Sequence, residues 1–129
     1  MPTLPVTIDR GPRPYQNVSP EEAERLLALG AVVLDVRSPR EHEELGHIPG
    51  ALLLPVELLA VAPAVIPDDG RPVVVVCEHG VRSRQAAAIL AAAGIPAWNM
   101  TGGMSRWMGP RAHEPSPVAG PSEWLLSNT

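Results

Sequence analysis

Cys77 is the only cysteine among 129 residues, and it opens the run Cys77-Glu78-His79-Gly80-Val81-Arg82-Ser83-Arg84. A thiolate is a strong nucleophile, and a helix N-terminus or a neighbouring cation eases its formation. Gly80 allows the positive φ that curls a chain around an anion, while Arg82 and Arg84 bring fixed positive charge to the same stretch. Together these residues point to covalent chemistry, a sulfur nucleophile beside a pocket for an anion. The plainer alternative is an inert buried thiol, since cysteine is among the most buried residue types. That alternative leaves the glycine and both arginines without a purpose.

The flanking segments say how the run is held. Arg71-Pro72 precedes four consecutive valines, Val73 to Val76, which read as a strand buried on both faces. After the run comes an alanine-rich helical segment with Ser83 as its expected N-cap and Ile89, Leu90 and Ala93 on its packing face. Gly94 and Pro96 end it. Cys77 is therefore expected between the carboxyl end of a central strand and the amino end of a helix, where unpaired N–H groups and the helix dipole favour negative charge.

This stretch resembles the active-site loop of the rhodanese (thiosulfate sulfurtransferase) family. Two further stretches carry the resemblance: Val33-Leu-Asp-Val-Arg-Ser-Pro-Arg-Glu41 with Gly46-His-Ile-Pro-Gly-Ala51, and Asn99-Met-Thr-Gly-Gly-Met-Ser-Arg-Trp107. It spans roughly Val18 to Met108. It implies a sulfurtransferase in which Cys77 carries sulfur as a persulfide, taking it from a small anionic donor such as thiosulfate and passing it to cyanide or a thiol, a protein thiol included. Residues Glu78, His79, Gly80, Val81, Arg82 and Ser83 would line the donor site, with Asp35, Arg37 and Arg84 in support. No cofactor is implied. The chain departs from the family pattern in two places: the Asp35-to-Gly46 spacing is one residue long, and His42 stands where an aromatic residue is common. His47 resembles a recurrent structural histidine.

Two other readings stay open. Cysteine-based phosphatases and arsenate reductases also set an arginine behind the nucleophile, but with one residue more between them than the four from Glu78 to Val81 here. The smaller ring suits a single sulfur better than a tetrahedral phosphate. A persulfide carrier serving a dedicated partner would instead present Glu78 and His79 as surface for that partner.

Earlier in the chain, Tyr15 to Val18 reads as an edge strand. Ser19-Pro-Glu-Glu22 then caps a helix packed through Leu26, Leu27 and Leu29, and Gly30 ends it. Ala31 to Val36 is a second buried strand with Asp35 and Arg37 at its carboxyl end, the end that faces the ligand crevice of an open parallel sheet. Arg37 is expected to pair with Glu41 or Glu44, and Asp35 to orient the loop by accepting N–H bonds. Ser38 to Leu45 reads as a short capped helix, Ala51 to Leu54 as a third strand, and Val56 to Ile66 as a helix broken at Pro63. Asp68-Asp-Gly70 forms a turn, Ala97 to Met100 the last strand, and Gly102-Gly103 a turn into a short helix with Arg106 and Trp107. The fold class is α/β: one domain at 15–108, with a mainly parallel sheet of about five strands and helices on both faces.

Residues 1–14, with four prolines, are expected as an extended arm, and 109–129 as a proline-rich tail ending in Trp124-Leu125-Leu126. A net charge of −4 and pI near 5.5 argue against nucleic acid or an anionic membrane as partner. All ten basic residues are arginine. A lone cysteine cannot form an internal disulfide, no segment reads as a leader or a membrane span, and the expected location is cytoplasmic. With no cysteine or second histidine at ligand spacing near His47, no metal site is expected.

Overall fold

The computed structural model describes residues 15–67 and 69–114. The expected arm at 1–14 and the Trp124-Leu125-Leu126 segment lie outside the described residues, as does Asp68.

Strand β1, Gln16–Val18, leads into helix α1, Pro20–Ala28. Ser19 closes a capping box with Glu22, satisfying two orphan N–H groups reciprocally. Ala23 and Leu26 form the buried stripe of α1, whereas Leu29, expected there, is at the C-cap and exposed. Strand β2 is Val32–Asp35 and helix α2 is Pro39–Glu44, begun by a second capping box between Ser38 and Glu41. Strand β3, Leu52–Leu53, is followed by a 3-10 segment, Val56–Val61, and helix α3, Ala62–Val65. Pro63 sits in the first turn of α3, where its missing N–H costs nothing. The four valines make strand β4, Val73–Val76; helix α4 is Val81–Ala92 and strand β5 Ala97–Met100. A 3-10 turn at Met104–Arg106 follows.

The five strands form one parallel sheet in the order β1-β5-β4-β2-β3. Alternate residues of the central strands feed two cores. Leu34, Val36, Val73 and Val75 face α4, the 3-10 segment and α3; Val33, Val74 and Val76 face α1 and the turn after β5. Helices thus cover both faces, as a parallel sheet whose central strands are mostly apolar requires. On α4 the stripe runs through Ser83, Ala86, Ala87 and Leu90; Ile89, expected on it, is exposed. The alanine-rich sequence carries too little contrast for its face to be read from pattern alone.

The segment after Gly109, read as tail, is tied down at its start. Ala112 bridges His47 in an antiparallel pair, and the Arg111 guanidinium donates to the carbonyls of Leu45, Met104 and Trp107. No helix among the described residues is long and apolar enough to cross a membrane.

The connections leaving β2 and β4 run in opposite directions across the sheet, β2 to its neighbour β3 and β4 to its neighbour β5. The crevice at their carboxyl ends is where open α/β sheets place ligands. Asp35 and Val76 are in register there, so the segment that carries Arg37 leaves the sheet beside the one that carries Cys77 and Glu78.

Candidate active site at the carboxyl ends of β2 and β4

Cys77 follows β4 directly and is fully buried. The chain reverses at Gly80, which has φ 90° and is the N-cap of α4, so the helix begins at Val81. The serine expected as N-cap, Ser83, instead lies inside the first turn and is buried. A left-handed glycine starts the helix without a side-chain cap, so the serine hydroxyl is released for other work. The Gly80 amide donates to Cys77 Sγ at 3.0 Å, and Sγ lies 3.3 Å from Ser83 Oγ. Ser83 donates to Asn99 Oδ1 at 2.6 Å, and the Asn99 amide donates to Asn17 at 3.1 Å. A polar chain thus runs from the thiol across β5 to the edge strand.

The loop backbone is held from behind by the turn after β5. Met104 and Ser105 donate to the carbonyls of Cys77 and Glu78 at 2.8 and 2.9 Å. Gly103, at φ 70°, makes this approach possible: a Cβ there would lie 2.5 Å from the Glu78 carbonyl.

Asp35 and Arg37 do come to the loop, but with different partners from those expected. Arg37 is fully buried and bonds Asp35 through Nε and Nη2, the Gly46 carbonyl at 2.8 Å, and Glu78 at 2.9 Å. It pairs with neither Glu41 nor Glu44. Asp35 accepts from the Arg37 amide, the Arg37 guanidinium and His42 Nδ1, so it reaches the loop only through Arg37 and Glu78. Burial opposes the charge on Asp35, yet the bonds from His42 and Arg37 outweigh it and hold the carboxyl below its ordinary range. His42 fills the aromatic position by stacking on His47, ring centroids 3.6 Å apart, while its nitrogen serves Asp35. His47 donates Nδ1–H to the His42 carbonyl.

Arg82 was expected to add its charge to the anion pocket. Its guanidinium is gripped by Glu41 of α2, with Nη1 and Nη2 on the two carboxylate oxygens at 2.8 and 2.7 Å. This bond is the main reason Glu41 is pulled down to about 2, and why Arg82 lies above its ordinary range. The Cys77 sulfur adds to the rise on Arg82, which places that guanidinium within electrostatic reach of the thiol. Glu78 faces inward to Arg37, whereas His79, Val81 and Arg84 are exposed. The residues not foreseen are Glu41, His42 and Asn99. Glu41 and His42 sit on a capped helix just after Asp35, and Asn99 is the one polar residue in an otherwise apolar strand, a signal that could have been read.

The rhodanese-like domain model matches residues 19–109. The chain belongs to the rhodanese-like domain family. It is 38% identical over 112 residues to a thiosulfate sulfurtransferase GlpE of Ectopseudomonas mendocina, covering 84% of this chain and 96% of that one. Among solved structures it resembles a thiosulfate sulfurtransferase from Pseudomonas aeruginosa, with TM-score 0.71 and 28% identity over 81% of this chain and 21% of the other. A Rhodopseudomonas palustris protein of unknown function, described as a possible tyrosine phosphatase, matches with TM-score 0.65 and 27% identity over 74% of this chain and 83% of that one. In this rhodanese-like chain the three stretches have distinct structural duties: the loop holds the Cys77 sulfur, the segment after β2 braces the loop through Arg37, and the turn after β5 fixes its backbone.

Proposed function

We propose that this rhodanese-type protein moves a sulfane sulfur from thiosulfate or a persulfide donor to cyanide or a thiol through a persulfide on Cys77. The observation that carries this reading is the Cys77 sulfur itself, at the end of the central strand and accepting the Gly80 amide at 3.0 Å. The same donor that meets sulfur in the resting chain can stabilise negative charge on it during reaction.

In the first half-reaction the Cys77 thiolate attacks the outer sulfur of thiosulfate. A new S–S bond forms at Cys77, the donor's S–S bond breaks, and sulfite leaves with the bonding electron pair. Charge is conserved, −3 on each side of the equation, so no oxidant or reductant is needed. In the second, cyanide or a thiolate takes the outer sulfur and the Cys77 thiolate returns. Because Cys77 is fully buried, the transferable sulfur must be presented at the tip of the donor. Glu78, His79, Gly80, Val81, Arg82 and Ser83 surround that approach, with Asp35, Arg37 and Arg84 in support. One fewer residue between Cys77 and Arg82 than in cysteine phosphatases favours sulfur over phosphoryl chemistry. A single cysteine also fits a reducing compartment, the cytoplasm.

Intact mass spectrometry after thiosulfate treatment tests the reading. One added sulfur atom is expected, removed again by cyanide and absent in Cys77→Ser, which cannot supply a thiolate. Thiocyanate formation at the parental rate by folded Cys77→Ser would overturn it.

A further inference from the structure

Around the loop, positive charge is matched by carboxylates from the chain itself. Arg37 is answered by Asp35 and Glu78, and Arg82 by Glu41. The second pair matters more for a donor because it is not deep in the core: the Arg82 and Glu41 side chains are 36% and 27% exposed, and they stand where the loop turns into α4. Glu41 is also fixed independently of Arg82. One of its oxygens, Oε1, accepts the Ser38 amide at 3.1 Å as the return arm of the α2 capping box, so the carboxylate is already in place when Arg82 meets it. A two-pronged pair whose acid is pre-positioned loses less conformational entropy than a pair of free side chains.

Such a pair changes what the loop can recognise. Arg82 keeps N–H groups to spare, but its charge is neutralised locally. A doubly charged donor must approach the Glu41 carboxylate to use Arg82, and it gains attraction only as far as it displaces that acid. A singly charged donor loses less by the same neutralisation. We propose that Glu41 is a specificity-determining residue that screens sulfur donors by charge, making the site favour a singly charged donor of the organic persulfide or thiosulfonate class over a free dianion such as thiosulfate. This rests on the sulfurtransferase reading and refines its donor class. The Arg82 bond pulls the Glu41 carboxyl down to about 2, so the carboxylate is charged in any neutral assay. Arg84 on α4 and Arg106 on the turn after β5 are exposed and carry fixed positive charge that no such pairing with Glu41 screens.

The discriminating variant is Glu41→Gln, which keeps an oxygen for the Ser38 amide and so preserves the capping box while removing the charge. Thiocyanate formation is measured with thiosulfate, a dianion, and with methanethiosulfonate, a monoanion, for wild type, Glu41→Gln, Arg82→Gln and the double variant. Glu41→Gln is expected to lower KM for thiosulfate roughly tenfold and KM for methanethiosulfonate less than about threefold, with the change in KM rather than kcat, and the gain is expected to vanish in the double variant. Inhibition by sulfate, an unreactive dianion, gives a binding readout apart from turnover, and its Ki is expected to fall in parallel. An unchanged or raised thiosulfate KM, equal shifts for both donors, or survival of the gain without Arg82 would overturn the inference. The mass measurement separates the two levels: a wild type that loads sulfur on Cys77 while Glu41→Gln fails to discriminate removes only the role of Glu41, whereas a wild type that loads from neither donor removes the sulfurtransferase reading and this inference with it.

Discussion

The two ends of the sheet are built from opposite materials. Every buried polar or charged side chain among the described residues, Asp35, Arg37, His42, His47, Ser83 and Asn99, lies on the carboxyl side. The amino side, around the start of β4 and the end of α4, is closed by turns, and the hollow there is lined by Pro63, Ile66, Pro67, Val73 and the run from Ala93 to Pro96, with Arg71 at its edge. That hollow offers no nucleophile. Buried polar groups are expensive unless bonded, so a chain that gathers six at one end has placed its specificity there and its plain packing at the other. Plain packing and chemistry are thus set apart along one strand, with Val73 of β4 at the packed end and Cys77 just beyond the other.

The comparison can be broken most forcefully at Arg37. Removing this guanidinium in Arg37→Met leaves Asp35 as a buried charge without its cation and frees Glu78, and a loss of about 3–5 kcal/mol in unfolding free energy is expected by urea denaturation. A loss under about 1 kcal/mol would mean that the carboxyl side is held by packing, as the amino side is.

The next effect falls on rate. Gly103→Ala drives a Cβ into the Glu78 carbonyl, displacing the loop that positions the Gly80 amide. Misplacing a donor at a reacting centre costs roughly 10²–10³ in rate, so sulfur transfer by the folded variant should fall at least ~100-fold. At the opposite end, Gly94→Ala puts a Cβ into open space at φ 84°. The strain should cost about 1–2 kcal/mol of stability and leave sulfur transfer per folded molecule unaltered. A rate loss there would show that the two ends are coupled.

Acid sharpens the contrast further. Asp35 and Glu41 both have folded values below their unfolded ones, 3.8 and 4.5, so each stabilises the fold above those values and the contribution is lost as pH falls through the folded ones. For Glu41 the window runs from 4.5 down to about 2. Stability measured from pH 6 downward should therefore begin to decline near 4.5, and Glu41→Gln should flatten the upper part of that decline.

Much of the fold was legible because its cues are local. Ser19 with Glu22, and Ser38 with Glu41, satisfy each other across three residues, so α1 and α2 could be placed from sequence alone. Four valines between breakers allow only a doubly buried strand, and Ala97 to Met100 emerged with the boundaries expected. The position of Cys77 after β4 follows from that strand, and the order of the three stretches was enough to indicate the family. What the tertiary structure alone decided is the pairing. Arg37 meets Glu78 and Arg82 meets Glu41 across 41 residues of sequence, and Ser83 meets Asn99 across 16. An arginine next to several carboxylates has no local preference among them; the choice is made when parallel pairing of β2 with β4 carries one loop beside the other. Ser83 shows the same rule in reverse. Its residue type suits a helix cap, but the left-handed turn at Gly80 starts the helix before it, and the hydroxyl is left facing the thiol because the sheet has brought Asn99 within reach.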